Sequence, residues 1–129
     1  MKYLHTMLRV RDLNKAVEFY TKVLGFIEVS REDYADGCFT LCFLRASGDP
    51  DNGPMLELTH NWDTKDYENG NAYGHLAYQV DSIEEIGNRL EEFGLAFSWG
   101  PGDTPSGDRK MAFFTDPDGY AIELIQNCY

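Results

Sequence analysis

Apolar and polar positions along this chain change their period twice, each time in the same order. Residues 3–10 read as a strand. Behind Asp12, Leu13, Ala16, Val17, Tyr20 and Leu24 recur at helical spacing, which predicts an N-capped helix ended by Gly25. Residues 26–30 and 39–45 read as further strands. Dense turn chemistry over 47–54 then leads into a third strand at 55–61, so the last two strands are expected to form a hairpin. After a polar connector over 62–73 the pattern restarts. Residues 74–80 read as a strand, and Ser82 with Glu85 makes a capping box. Ile83, Ile86, Leu90 and Phe93 form one helical stripe, stopped by Gly94. A short extended piece (95–99), a Gly- and Pro-rich loop expected to be mobile (100–108), a strand (111–115) and a tight turn (116–119) precede the last strand, 120–127. Each half is therefore strand, helix, then three strands. The fold class expected is α+β, with two tandem βαβββ modules at about 1–62 and 73–129 in a single domain spanning 1–129.

The repeat is visible in residue identities as well as in pattern. Met55-Leu56-Glu57-Leu58 overlays Ala121-Ile122-Glu123-Leu124 at an offset of 66 (57 to 123), and His5 and Val10 match His75 and Val80 at 70. The turns Asp49-Pro50-Asp51 and Asp116-Pro117-Asp118 match at 67. A period this long suits two packed modules rather than a solenoid.

The repeated apolar strands each carry one carboxylate mid-way, and burying an ionised carboxylate without a partner is expensive. Each half also opens with a histidine. His5, Glu57, His75 and Glu123 thus form two equivalent imidazole–carboxylate pairs, a set that suits a divalent metal in six-coordinate geometry with two positions left for water or substrate. Strand parity adds to this, because alternate residues share a face. Met7 and Arg9 fall with His5, Thr59 and Asn61 with Glu57, Ala77 and Gln79 with His75, and Ile125 and Asn127 with Glu123. An arginine on that face needs something anionic, so Arg9, with Asn61 beside it, is a candidate contact for a substrate anion. His60 and Gln126 have the opposite parity and are excluded. Trp62 and Trp99 are candidates to line an apolar pocket, and Arg109 and Lys110, after the loop, are candidates to clamp a carboxylate.

Composition narrows the partners. Apolar residues make up 43% of the 129, enough for a packed interior. Twenty-two acidic against 11 basic residues leave a formal charge of −11, which repels phosphate backbones and anionic lipid and argues against nucleic acid and membrane as partners. The chain shows no signal-like apolar segment, and Cys38, Cys42 and Cys128 are an odd number. Reduced thiols and a cytoplasmic location are expected. Cys38 and Cys42 are spaced to share a face of one strand.

Five stretches carry a resemblance: Leu4-His5-Thr6-Met7-Leu8-Arg9-Val10, Phe19-Tyr20-Thr21-Lys22-Val23-Leu24-Gly25, Glu57-Leu58-Thr59-His60-Asn61-Trp62, Ala72-Tyr73-Gly74-His75 and Asp116-Pro117-Asp118-Gly119-Tyr120. Together they resemble the glyoxalase I (lactoylglutathione lyase) family of the vicinal oxygen chelate superfamily. The resemblance implies curved mixed sheets around a metal-containing cavity, with His5, Glu57, His75 and Glu123 as ligands. It places Arg9 and Asn61 on the glutamyl end of glutathione and Arg109 or Lys110 on the glycyl carboxylate. It implies isomerisation of the methylglyoxal–glutathione hemithioacetal to S-D-lactoylglutathione through an ene-diolate, with Glu123 as base, Glu57 as the opposed carboxylate, and glutathione as cosubstrate. A homodimer is implied, as is one divalent metal per site: nickel first, cobalt next, zinc less favoured. The same scaffold also serves other metal enzymes (epimerases, thiol transferases) and non-catalytic small-molecule-binding proteins.

Overall fold

Residues 1–126 are described in the structure, a computed structural model of the chain. Asn127, placed by parity on the Glu123 face, and Cys128 lie outside the described residues. The chain divides into two compact units, Met1–Glu68 and Asn69–Tyr129. Both are βαβββ modules.

In the first unit β1 (His5–Arg9) leads into α1 (Leu13–Lys22), followed by β2 (Ile27–Tyr34), β3 (Phe39–Arg45) and β4 (Met55–Asn61). The sheet order is β1-β4-β3-β2, with β1 parallel to β4 and the other neighbours antiparallel. The helix starts where the sequence puts it, because the Asp12 carboxylate accepts a hydrogen bond from the Lys15 amide at 3.0 Å and so satisfies one open amide of the first turn. Its stripe of Leu13, Ala16, Val17, Phe19 and Tyr20 is buried, as are Leu8, Cys42, Leu44, Leu56 and Leu58 on one face of the sheet. The opposite face carries His5, Met7, Arg9, Glu57, Thr59 and Asn61, register neighbours or two-residue steps along β1 and β4.

The second unit repeats this with β5 (His75–Val80), α2 (Ile83–Glu92), β6 (Trp99–Asp103), β7 (Lys110–Thr115) and β8 (Ala121–Gln126), in the sheet order β5-β8-β7-β6. The Ser82 hydroxyl accepts from the Glu85 amide at 3.2 Å. The Gln126 side chain accepts from the Ile83 amide at 2.8 Å, so the parity that removed Gln126 from the Glu123 face has turned it to the start of α2. The turn after β7 is fixed by Asp116, whose buried carboxylate takes the amides of Asp118 and Tyr120, both at 2.9 Å.

Three expectations need correction. The strand expected at 26–30 is β2, which runs on to Tyr34; its outer residues are all exposed and mostly charged, so no apolar alternation marks them, and pairing with β3 extends the strand. The stretch expected to be loop from residue 100 opens with a strand. β6 is the sheet's outer strand, where a proline costs no ladder bond, and its pairing with β7 shifts register between Trp99 and Gly102. Cys38 and Cys42 do not share a strand face. Cys38 precedes β3 at a positive φ of 54° and is exposed, whereas Cys42 is buried under α1, where desolvation pushes its thiol up to about 11.

Leu58 and Leu124 occupy equivalent core positions, both fully buried. Leu58→Ala is expected to lower unfolding stability by about 3 kcal/mol through lost burial and the cavity left behind. Urea denaturation followed by tryptophan fluorescence reads this as a lower midpoint; an unchanged midpoint would mean the cavity collapses.

Candidate metal and substrate site

The topology brings each histidine to its glutamate by the same step. His5 is in register with Met55, two residues before Glu57; His75 is in register with Ala121, two before Glu123. Two residues along a strand return to the same face, so imidazole and carboxylate meet diagonally across a parallel pair. The His5 Nε2–Glu57 Oε2 distance is 3.0 Å and the His75 Nε2–Glu123 Oε2 distance 2.8 Å. The glutamates are largely shielded, at 13% and 15% side-chain exposure, while the imidazoles are open at 38% and 44%.

Each pair has the geometry of two adjacent ligands. Nitrogen and oxygen donors each about 2.1 Å from a cation, at a right angle to one another, stand about 3.0 Å apart. Imidazole nitrogen and hard carboxylate oxygen suit a borderline divalent ion, and among the described residues no cysteine shares that face of either sheet. Among the described residues no group of three or more His, Cys, Asp or Glu converges. Each unit presents one imidazole and one carboxylate in contact.

A phenylalanine completes each pair, and sequence reading missed both. Phe43 is in register with Glu57 and stands edge-on to the His5 ring at 5.6 Å between centroids, 81° between planes. Phe113 is in register with Glu123 and meets His75 at 5.4 Å and 77°. Both contacts fix the imidazole planes by an apolar edge. The signal was present, since Phe43 and Phe113 share the 70-residue offset of His5 and His75.

Of the substrate candidates, Arg9 and Asn61 lie on the Glu57 face, at the end of their strands; the Asn61 side-chain amide donates to the Tyr67 hydroxyl at 3.0 Å. The two basic residues after the loop are separated by parity. Arg109, two residues before Met111, lines a cavity of about 390 Å³ with Met111, Ile125 and Glu123. Lys110 is in register with Gln126, on the other face, and its ammonium is paired with Asp103. The loop that closes this cavity is tied to itself: the Thr104 hydroxyl donates to Asp108 at 3.1 Å and Ser106 donates to the same oxygen, which holds the Asp108 carboxyl below its ordinary range. Trp99 is in register with Phe113 and so belongs to the Glu123 face. Trp62 is turned away; its indole donates at 2.8 Å to Thr40, which pairs with His60 on the face under α1. His60 lines a separate cavity there with Arg11 and Arg31, whose guanidiniums are held by Asp66 and by Asn14 and Glu28 respectively.

Fold and paired His–Glu strands define a class, and sequence comparison agrees. Residues 2–124 match the model of the Glyoxalase/Bleomycin resistance protein/Dioxygenase superfamily, and the chain belongs to that family. It is 48% identical to the lactoylglutathione lyase of Neisseria meningitidis over 98% of its own length and 91% of the relative's. Among solved structures it is similar to glyoxalase I from Zea mays, with a TM-score of 0.89 at 31% identity; 99% of this chain is covered but 45% of the maize chain, so it spans about half of that protein. The trypanothione-dependent glyoxalase I of Leishmania major matches with a TM-score of 0.83 at 36% identity, over 98% of this chain and 86% of that one.

Proposed function

We propose that the chain is a glyoxalase I, converting the hemithioacetal of methylglyoxal and glutathione to S-D-lactoylglutathione and so detoxifying methylglyoxal. The observation that carries this reading is the duplicated imidazole–carboxylate diagonal, His5–Glu57 and His75–Glu123. A small-molecule binding protein on this fold has no use for two such pairs in matching frames. The four side chains together are the ligand set of one divalent cation per site, nickel first, cobalt next. A bound cation of this kind supplies Lewis acidity to the substrate oxygens, making the adjacent carbon-bound proton acidic enough to remove.

Glu123 takes that proton on a carboxylate oxygen, the C–H electron pair moving into the carbon framework. A proton is then delivered to the neighbouring carbon, the hydroxyl proton of the thiohemiacetal carbon passes to the neighbouring oxygen, and the thiohemiacetal carbon becomes the thioester carbonyl. The net change is an isomerisation with no redox partner. Glu57, its equivalent in the first unit, is assigned as the second carboxylate ligand. Arg9 and Asn61 meet the glutamyl end of glutathione; Arg109, on the Glu123 face, meets the glycyl carboxylate, and Lys110 does not. The active form is a homodimer in the cytoplasm. No helix among the described residues is long and apolar enough to cross a membrane.

The direct test is thioester absorbance when nickel-loaded protein meets the hemithioacetal. No thioester, with substrate and metal bound, would overturn the reading. Arg9→Ala is expected to raise KM for the adduct about tenfold with kcat little changed, because a charge-assisted hydrogen bond to a remote carboxylate binds ground and transition states alike. An unchanged KM would remove Arg9 from the substrate site.

A further inference from the structure

Two charged residues on the Glu57 face have no role in the reaction above: Arg45, which is paired with Asp51, and Glu32. Strand register sets a row across the whole sheet of the first unit: Arg9 on β1, Thr59 on β4, Leu41 on β3 and Glu32 on β2. Residues in such a row point to one side of the sheet. A cation and an anion therefore stand at opposite ends of the row, three inter-strand steps or about 14 Å apart between backbones. Between them Thr59 is buried and Leu41 half-buried, so the two charges flank a short, largely uncharged stretch of the face.

Glu32 is not a loose surface carboxylate. The Tyr34 hydroxyl donates to its Oε2 at 2.9 Å, and the Tyr34 ring is itself stacked on Phe39, 5.1 Å between centroids and 20° between planes. Phe39 is in register with Asn61 on β4, so the stack belongs to the same face as the proposed glutamyl contacts. The Tyr34 phenol is pushed up by its hydrogen bond to Glu32 and by the charge of that carboxylate. Nothing about catalysis or packing calls for this arrangement, since all of β2 is exposed.

We propose that Glu32, held by Tyr34, accepts the α-ammonium group of the thiol's amino-acid end while Arg9 takes the α-carboxylate of the same group. This rests on the reading of Arg9 given above and extends it to the substrate's positive charge. A zwitterionic end needs both a cation and an anion spaced to receive it, and a guanidinium and a side-chain amide supply only the first. The row makes the face selective for thiols with a free amino group over those whose amine is missing or acylated.

Titration calorimetry with S-methylglutathione and with its analogue lacking the α-amino group tests this without requiring turnover. Glu32→Gln is expected to weaken S-methylglutathione about fivefold, the scale of a solvent-exposed charged hydrogen bond, and to leave the desamino analogue unchanged. Tyr34→Phe, which keeps the stack on Phe39, is expected to shift the same ligand in the same direction by less. Equal weakening of both ligands would mean that Glu32 acts on the scaffold, and no change in either would remove it from the site; each result overturns the proposal. Amino-selective binding by a protein that makes no thioester would retain the Glu32 assignment and reject the isomerase. Absence of any S-methylglutathione binding would reject both.

Discussion

Glu123→Gln is expected to reduce kcat at least about a thousandfold while leaving the fold intact. The amide is nearly isosteric, and Glu123 lies on the face of β8 away from α2, so the buried packing of Ile122 and Leu124 is untouched. On the proposed mechanism what is lost is a carboxylate assigned both to ligate and to accept a proton, and general base catalysis alone contributes about a hundred- to ten-thousandfold. Pre-steady-state and steady-state assays of thioester formation, with circular dichroism for the fold, check this. Retention of more than a tenth of the activity would reject Glu123 as the essential base. The equivalent change at Glu57 is expected to be milder if its main duty is ligation, so the ratio of the two losses separates two side chains that the fold makes alike. Nickel content of each variant must be measured alongside, because a base that is also a ligand can fail in either role.

Much of the fold is legible in the chain itself. Helix starts at Asp12 and Ser82, and strands 39–45 and 55–61, coincide with the structure because capping chemistry and apolar patterning are local. The His–Glu pairs were readable for a less local reason: duplication wrote them twice, and parity assigned faces without knowledge of the sheet order. What remained hidden depends on register between strands distant in sequence. Phe43 and Phe113 become partners of His5 and His75 only when β3 and β7 are laid against β4 and β8. Glu32 joins the Arg9 row only through two intervening strands. β2 and β6 are the outer strands of their sheets, one fully exposed and the other carrying Pro101, so neither advertises itself by burial. Trp62, by contrast, was legible: it has the parity of His60, and its hydrogen bond to Thr40 holds it on that face rather than with Asn61.

Protein stripped of metal by chelation is expected to be inactive, to regain full activity with nickel and most of it with cobalt, and to stay below about a tenth of the nickel level with zinc. The donor set gives the physical reason. The proposed set of two imidazoles and two carboxylates would supply four protein ligands, and zinc is content with four, so a zinc-loaded site would have little need of a further oxygen. An ion that prefers six ligands keeps two positions open to the vicinal oxygens of the substrate. Zinc is nonetheless expected to bind, since nitrogen and oxygen donors do not reject it. Affinity and activity should therefore diverge: competition against a chromophoric chelator would show zinc held at least as tightly as cobalt while thioester formation is poor. Full activity with zinc and none with nickel would overturn the metal assignment while leaving the ligands in place. Loss of binding for every metal on His75→Ala, with the fold retained, would show that His75 is a ligand; unaltered binding by that variant would dissolve the four-donor site.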